Sequence, residues 1–239
     1  MTQNINNIFV GFDRDGTLEI PDLPMSNALK QKIVELEKSG INIFFASGKS
    51  MELLKDLAND IGVKPVLLCA ENGGHIYDFK NEQESFIDKT KDLERFIELI
   101  KECELPQHRH EHKVSIWSKK FDGHVNLAGE IINGMIKKHQ LDLQVFTYPD
   151  GDGGLDVVPP GIDKEKLLNF IPQNAVIHYF GDSFNDLCLM ESERIIPHTV
   201  ANAKDIVKEL VIKKGGLIAK EPAGEGVLSL LCKIFEKRD

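Results

Sequence analysis

The chain has 239 residues, of which 41% are hydrophobic and 28% are charged, a composition typical of a globular protein with one large domain or two modest ones. The formal net charge of −9 argues against nucleic acid or an anionic membrane as the main partner, because both require a cationic face. This charge does not exclude a small phosphorylated substrate, which needs only a local positive site.

Cysteine use and the N-terminal segment predict a cytoplasmic protein. The four cysteines form no CxxC pair, which favours a reducing compartment and provides no metal-thiolate spacing. The polar segment 1–7 lacks the apolar core of a signal peptide. No apolar run approaches the roughly 20 residues that a membrane helix needs.

The first part of the chain predicts alternating strands and helices. Apolar residues indicate strands at Ile8–Phe12, Ile41–Ala46 and Val66–Ala70. Two helices separate these strands, the first capped by Ser26 and the second by Ser50. This βαβαβ order implies a parallel sheet with helices on both of its faces.

The middle of the chain, residues 79–158, has a different pattern. It begins with a charged stretch and continues with two helical segments and three short strand-like runs. The helices are predicted at 91–102 and 125–139, and the strands at 113–118, 143–147 and 155–158. This pattern predicts a second, α+β domain with an antiparallel sheet, inserted into the first with crossings near Asp78 and Pro159.

The C-terminal third returns to alternating helices and strands. Helices are predicted at 164–171 (capped by Asp163), 185–191, 205–211 and 226–235, and strands at 175–180, 194–196 and 217–219. The predicted fold class is therefore α/β. A Rossmann-like core, residues 1–78 and 159–239, carries the inserted α+β domain.

Acidic residues lie where two of the predicted core strands end. Asp13 and Asp15 follow the first strand, and Asp182 and Asp186 follow the strand at 175–180. Carboxylates resist burial and repel each other, and Mg²⁺, which prefers oxygen ligands, removes both penalties. Because parallel strands end at one edge of the sheet, these acids are expected to meet, and a carboxylate beside a metal-bound phosphate can act as a nucleophile. Taken singly, each acid is also an ordinary turn or helix-capping residue.

Two further segments predict contacts to a phosphate. Ser47 and Gly48 follow the second strand, where a hydroxyl group and an unshielded backbone can donate to phosphate oxygens. Lys164 opens a helix, where a cation is electrostatically disfavoured unless it holds an anion. A plain Ser-Gly turn and a solvated surface lysine are the alternatives.

These segments, in this order, resemble the motifs of the haloacid dehalogenase-like phosphohydrolases. The matching segments are Asp13-Arg14-Asp15-Gly16-Thr17, Ser47-Gly48-Lys49, Asp163-Lys164 and Gly181-Asp182-Ser183-Phe184-Asn185-Asp186. The resemblance covers residues 7–78 and 159–235. The insert is similar to the α+β cap of the Cof-type subgroup. The segment Glu71-Asn72-Gly73-Gly74, which precedes the insert, also resembles that subgroup. That subgroup includes phosphatases of phosphoglycolate, sucrose phosphate and mannosyl-3-phosphoglycerate.

The resemblance implies a role for each matching residue. Asp13 would be the nucleophile that forms an aspartyl-phosphate, and Asp15 the general acid and base. Ser47 and Lys164 would hold the transferring phosphoryl group, with Asn185 helping to position it. The implied Mg²⁺ ligands are the Asp13 carboxylate, the Asp15 backbone carbonyl and Asp182, with Asp186 in or near the coordination shell.

A polar run in the insert is the candidate for substrate recognition. His108, His110 and His112 alternate with charged residues, so an extended chain would place the three rings on one face. A solvated strand edge, a substrate-facing cationic patch and a histidine metal site are alternative interpretations. Glu111 and Lys113 resemble cap residues of related sugar-phosphate phosphatases and are predicted to contact the substrate.

The sequence thus predicts a Mg²⁺-dependent phosphatase that acts on a sugar phosphate or a phosphorylated carboxylate through an aspartyl-phosphate. Two alternatives are a phosphomutase with the same nucleophile and a phospho-accepting or binding protein without turnover. The physiological substrate and the oligomeric state are left open. So is the role of Arg14, which stands where the subgroup often has an apolar residue.

Overall fold

The computed structural model describes residues 7–21, 23–87, 90–101, 103, 107–109, 112–117, 124–148 and 154–235, with only the backbone of 108, 109 and 117. The chain divides into two compact units. The core unit comprises Met1–Ser85 and Asp163–Asp239, and the insert unit comprises Phe86–Ile162. None of the helices in the described ranges combines the length and apolar character required to cross a bilayer.

Strands and helices alternate along most of the chain. The strands are β1 (Ile8–Phe12), β2 (Asn42–Ala46), β3 (Leu67–Ala70), β4 (His75–Asp78), β5 (Gln83–Phe86), β6 (Gln107–Arg109), β7 (Val114–Trp117), β8 (Gln144–Tyr148), β9 (Gly154–Val158), β10 (Val176–Phe180), β11 (Ile195–Thr199) and β12 (Leu217–Ile218). The α-helices are α1 (Asn27–Lys38), α2 (Met51–Ile61), α3 (Lys91–Lys101), α4 (Val125–Lys138), α5 (Phe184–Glu191), α6 (Asp205–Lys213) and α7 (Ala223–Phe235). Within the described ranges, 3₁₀ helices lie at Glu71–Gly73 and Lys164–Phe170.

The core unit is built on a sheet with the strand order β12-β11-β10-β1-β2-β3-β4-β5. The strands from β12 to β3 run parallel to their neighbours, and β4 pairs antiparallel with β3. Strand β1 lies between β2 and β10 and is buried along its whole length. The α/β fold class predicted from the sequence is therefore confirmed, with β4 and β5 as an addition at one edge.

Capping and apolar spacing account for the first helix. Ser26 accepts a hydrogen bond from the backbone N–H of Leu29, which satisfies one of the orphan donors at the start of α1. Leu29, Ile33 and Leu36 recur at helical spacing and are buried in the core. The chain then leaves the helix through Gly40, which has a positive φ of 96°.

The insert unit has its own sheet and its own hydrophobic core. Its four strands pair antiparallel in the order β6-β7-β9-β8. Apolar residues of α3 and α4 form one buried cluster with Val114, Ile116, Leu155 and Val157 of the sheet. Because side chains alternate along a strand, Ser115 and Asp156 lie on the opposite face.

The structure corrects several details of the sequence prediction. Residues 79–85, assigned to the insert, belong to the core unit because β4 and β5 extend its sheet. Lys164–Phe170 is a 3₁₀ helix, and the side chain of Asp163 does not cap it. The short strand expected at 194–196 continues to Thr199, because it pairs with both β10 and β12.

Candidate active site

The sheet register brings the ends of three central strands together. Phe12, the last residue of β1, pairs with Phe180 of β10 on one side and with Phe45 of β2 on the other. The backbone N–H of Asp13 donates to the Phe180 carbonyl at 2.8 Å, so the two chains are still joined where the strands end. The residues that follow these strands therefore share one edge of the sheet, where ligands bind in open α/β folds.

Three buried carboxylates meet at this edge. Each of Asp13, Asp182 and Asp186 offers an oxygen within 4.8 Å of the others. Burial raises the pKa of Asp13 well above its usual range; the ammonium of Lys164 opposes this rise, and the other two carboxylates add to it. Burial, together with the charge of Asp186, raises the pKa of Asp182 from 3.8 to about 7. These oxygen ligands and their mutual repulsion fit a hard divalent cation such as Mg²⁺.

Lys164 lies within this cluster and is fully buried. Its Nζ donates to Oδ1 of Asp13 and to Oδ1 of Asp186, each at 2.7 Å. Burial lowers the pKa of Lys164, but the adjacent carboxylates of Asp13 and Asp186 outweigh this effect and raise it above its ordinary value. The side chain thus stays cationic, and one lysine among three acids leaves the cluster short of positive charge.

The carboxylate of Asp186 is held at both oxygens. Oδ1 accepts from Lys164 and from the hydroxyl of Tyr179, both at 2.7 Å. Oδ2 accepts from the backbone N–H groups of Asp182 at 3.0 Å and Ser183 at 3.1 Å. A carboxylate has about four lone-pair positions, so a metal ion would have to displace one of these donors.

The turn after β1 places Asp15 apart from the buried cluster. The carboxylate of Asp15 is exposed and lies 3.2 Å from Nζ of Lys49. Gly16 has a φ of +87°, and a Cβ there would lie 2.2 Å from Oδ2 of Asp182. The turn therefore requires glycine for its backbone conformation and for the space that Asp182 occupies. Arg14 pairs with Glu19 at 2.8 Å.

The loop after β2 holds the predicted phosphate-binding residues. Ser47 is buried, its backbone N–H donates to the Cys69 carbonyl, and its Oγ accepts from the N–H of Lys49 at 3.3 Å. The Ser47 carbonyl accepts from the N–H of Asn72 at 2.9 Å. Gly48 lies between these anchored residues, so the loop is tied to β3 and to the segment that follows it.

Asn72 is a site residue for which the sequence suggested no role. It lies in the 3₁₀ helix Glu71–Gly73, is buried, and has a positive φ of 57°. Its Oδ1 accepts from Nδ2 of Asn185 at 3.0 Å, which links this segment to the start of α5. A non-glycine residue in the left-handed region is strained, and such strain is concentrated at functional sites.

Thr17 and Tyr179 are also residues that sequence reasoning missed. The hydroxyl of Thr17 donates to Oδ1 of Asp182 at 2.9 Å. Burial and the nearby carboxylates of Asp186 and Asp13 raise the pKa of Tyr179 well above its ordinary value, so its phenol remains a hydrogen-bond donor. For Thr17, the only sequence signal was its place beside the two N-terminal acids. Tyr179 lies within an apolar strand, and no sequence signal indicated that it belongs to the site.

In the insert unit, Lys113 is part of a buried polar cluster. Its Nζ donates to Oδ2 of Asp156 at 2.8 Å, and the hydroxyls of Ser115 and Tyr148 also donate to the Asp156 carboxylate. His112 is buried, and its ring lies against that of Phe86. Glu111 and His110, and the side chain of His108, lie outside the described parts of the chain. The substrate contacts predicted for this run remain predictions.

Two family models match this chain. A model of haloacid dehalogenase-like hydrolases matches residues 10–124, which include the acids after β1 and the loop after β2. A model of eukaryotic phosphomannomutases matches residues 82–214, which include Lys164, Asp182 and Asp186. Together the two models extend over both units of the chain.

Known proteins are similar over most of the chain. A phosphoglycolate phosphatase from Archaeoglobus fulgidus is 29% identical over 231 residues, covering 93% of this chain and 94% of its own. A phosphomannomutase from Babesia bovis is 26% identical over 235 residues, covering 83% of this chain and 94% of its own. The crystal structure of a haloacid dehalogenase-like hydrolase from Bacteroides thetaiotaomicron has the same fold, with a TM-score of 0.76, 18% identity, and coverage of 95% of this chain and 99% of its own.

Proposed function

The chain belongs to the haloacid dehalogenase-like hydrolases and has a phosphoglycolate phosphatase among its relatives, and we propose that it is a Mg²⁺-dependent phosphatase with Asp13 as the nucleophile. The observation that carries this proposal is the contact of Lys164 with Asp13 inside a cluster of buried carboxylates. This arrangement joins an anionic nucleophile to the cations that an incoming phosphate requires.

In the first step, a carboxylate oxygen of Asp13 attacks the phosphorus atom. The bond between phosphorus and the leaving-group oxygen breaks, and Asp15 donates a proton to that oxygen, so an alcohol leaves and an aspartyl-phosphate remains. The exposure of Asp15 supports this role, because an acid at the open end of the site can reach the leaving group. Lys164, whose ammonium lies 2.7 Å from Asp13, stabilises the charge on the transferring group.

In the second step, a water molecule attacks the phosphorus atom of the aspartyl-phosphate. Asp15, now deprotonated, takes a proton from this water, the bond between phosphorus and Asp13 breaks, and inorganic phosphate is released. Ser47 and the backbone around Gly48 donate hydrogen bonds to the phosphoryl oxygens in both steps. Asn185, which is held by Asn72, positions the same group.

The carboxylates of Asp13 and Asp182 and the backbone carbonyl of Asp15 would hold Mg²⁺. When bound, the ion neutralises negative charge on the phosphoryl group and on the carboxylates around it. Thr17 orients Asp182 for this purpose through its 2.9 Å hydrogen bond. The clustering of buried acids with raised pKa values supports this assignment.

One of the relatives supports the substrate class in this proposal. The relative from Archaeoglobus fulgidus is a phosphoglycolate phosphatase, which supports a small phosphorylated carboxylate or sugar phosphate as the substrate. In this proposal the insert is a cap that reads the leaving group, with Glu111 and Lys113 among its contacts. A cytoplasmic location is part of the same proposal, and the four free cysteines are consistent with it.

A phosphomutase is the second candidate function. The phosphomannomutase model and the relative from Babesia bovis favour it, because a mutase uses the same nucleophile but returns the phosphoryl group to a sugar. The two functions differ in the product that accumulates. A phosphatase releases inorganic phosphate, whereas a mutase converts one sugar phosphate into an isomer.

The test is incubation with a panel that contains phosphoglycolate, sucrose phosphate and hexose phosphates. Released phosphate and isomerised sugar phosphate are both measured, with Mg²⁺ and with a chelator. The proposal expects Mg²⁺-dependent phosphate release from at least one compound. Isomerisation without net phosphate release would replace the phosphatase with the mutase, and turnover that survives the chelator would contradict the metal requirement.

A further inference from the structure

The ring of Phe44 fills a gap that Gly11 leaves in the middle of the core sheet, and the ring of Tyr179 stacks beside it. In the register of the sheet, Gly11 of β1 pairs with Tyr179 of β10 on one side and with Phe44 of β2 on the other. A Cβ at Gly11 would lie 2.0 Å from Cζ of Phe44, so the missing side chain leaves room for the ring. The rings of Phe44 and Tyr179 stack across β1 at 6.0 Å and 11°. The phenol is therefore fully buried and fixed in direction.

The hydroxyl group of Tyr179 lies among residues from two of the four motifs and beside the start of a third. It donates to Oδ1 of Asp186 at 2.7 Å and lies 3.5 Å from Nζ of Lys164. It is also 3.4 Å from the carbonyl oxygen of Ala46, the residue before Ser47. Through Lys164 it is one contact away from Asp13.

We propose that Tyr179 is a positioning residue, which holds the Asp186 carboxylate so that Lys164 stays directed at Asp13 and the transferring phosphoryl group. This proposal rests on the proposed function of the site. Lys164 has two carboxylates in contact at equal distances, and only Asp13 takes part in the chemistry. By donating to the same Oδ1 atom of Asp186 that Lys164 contacts, the phenol shares the charge there and weakens the competing attraction.

This assignment also concerns the metal site. With Lys164, Tyr179 and two backbone N–H groups on its oxygens, Asp186 has its lone pairs engaged within the protein. In the proposal, Asp186 supports Lys164 and leaves metal binding to Asp13 and Asp182. The phenol is one of the four donors that keep Asp186 in this role.

The test is Tyr179→Phe, which removes one oxygen atom and keeps the stacked ring. Tyr77→Phe is the matched control, because it removes a hydroxyl group from β4 of the same sheet. The proposal expects kcat for phosphate release to fall on the order of tenfold in Tyr179→Phe, with KM within about twofold of the original value. The control is expected to keep both constants.

A second measurement does not depend on activity. In protein labelled with ¹⁵N-lysine, the ammonium group of buried Lys164 should give a ¹H–¹⁵N signal protected from solvent exchange, assigned by its loss in Lys164→Arg. The proposal expects Tyr179→Phe to shift this signal and Tyr77→Phe to leave it in place. Addition of Mg²⁺ should still produce a thermal stabilisation in Tyr179→Phe, because the metal ligands are retained.

Unchanged kcat together with an unmoved Lys164 signal would overturn the proposal. So would a fall in kcat that comes with a raised KM and a lowered melting temperature, since this combination indicates a structural role alone. If Tyr179→Phe does not fold, Phe44→Leu tests the same argument by loosening the ring, and it should lower kcat by a smaller factor at constant KM. If the unmodified protein releases no phosphate, the proposed function fails, and the Lys164 signal still decides the role of Tyr179.

Discussion

Lys164 is stable as a buried cation because two carboxylates contact it. An isolated ammonium group in a protein interior is costly, and the hydrogen bonds to Asp13 and Asp186 offset that cost. The same contacts leave the two acids dependent on the lysine. Structure and chemistry are therefore coupled at this residue.

Replacing Lys164 with Met should destabilise the fold and abolish turnover together. The substitution leaves Asp13 and Asp186 buried without their common partner, which costs about 3–5 kcal/mol in the free energy of unfolding. Denaturant unfolding measures this change. The matched control is Lys30→Met, whose exposed pair with Asp60 contributes about 1 kcal/mol or less. Equal losses in the two variants would contradict the structural account of Lys164.

Replacing Asp13 with Asn should remove the nucleophile and leave the fold in place. Turnover is expected to fall at least about a thousandfold, because an amide oxygen cannot form the aspartyl-phosphate. Phosphate release under saturating substrate measures the effect, and thermal unfolding verifies that the protein is folded. Asp205→Asn, on the exposed start of α6, is the control and should keep the original rate. A variant at position 13 with unimpaired turnover would rule out the covalent mechanism.

At the scale of elements, the site depends on tight turns that follow the strands. The turn after β1 reverses the chain through Gly16, which also leaves space for Asp182. At a second glycine with the same φ of +87°, Gly62 at the end of α2, an added Cβ would meet no atom within 4 Å. Comparing the two positions therefore distinguishes the cost of a positive φ from the need for space beside Asp182.

Gly16→Ala should impair Mg²⁺ binding and turnover, whereas Gly62→Ala should only reduce stability. Both substitutions carry the conformational cost of a left-handed residue, about 1–2 kcal/mol. Only the first introduces a Cβ that displaces the Asp182 carboxylate. Titration calorimetry with Mg²⁺ compares the two variants, and we expect at least about tenfold weaker binding in Gly16→Ala alone. Similar Mg²⁺ affinities would show that Asp182 is not a ligand.

The sequence predicted most core elements because their patterns are local. The apolar run of β1 and the Ser26 cap of α1 can each be recognised from a few adjacent residues. Strands β4 and β5 were missed because they are short, and β5 is polar and exposed. The 3₁₀ form of Lys164–Phe170 was missed because residue spacing at its N-terminus does not distinguish it from an α-helix.

The candidate site was predictable to the extent that it lies at strand ends. Asp13 and Asp182 could be inferred because acids that follow buried strands require an explanation, and Lys164 because a cation is disfavoured at the start of a helix. Tyr179 and Asn72 could not, because their roles depend on contacts between segments distant in sequence. The position of a hydroxyl group inside a sheet becomes known only when the register of the strands is known.

At the scale of the whole molecule, the acidic cluster makes stability depend on pH. The pKa of Asp182 is raised in the folded protein, so the folded state binds this proton more tightly than the unfolded chain does. Without metal, the stabilising contribution is complete below the unfolded pKa of 3.8 and is lost as pH rises to about 7. Asp13, whose pKa is also raised, acts in the same direction.

The stabilisation produced by Mg²⁺ should therefore grow as pH rises. At pH 5, protons compete with the metal for Asp182, and at pH 8 the ionised carboxylates repel each other until a cation binds. Thermal unfolding with Mg²⁺ and with a chelator measures the difference at each pH. Asp182→Asn should remove most of the pH dependence of this difference. A metal effect that is constant from pH 5 to 8 would contradict the assigned ligands.

The measurement that tests the central claim most directly is crystallography of the protein loaded with Mn²⁺, which gives an anomalous signal and can replace Mg²⁺. The account predicts one strong peak about 2.1 Å from carboxylate oxygens of both Asp13 and Asp182, beside the ammonium of Lys164. A peak elsewhere, or an empty cluster in a protein whose turnover requires the metal, would contradict it.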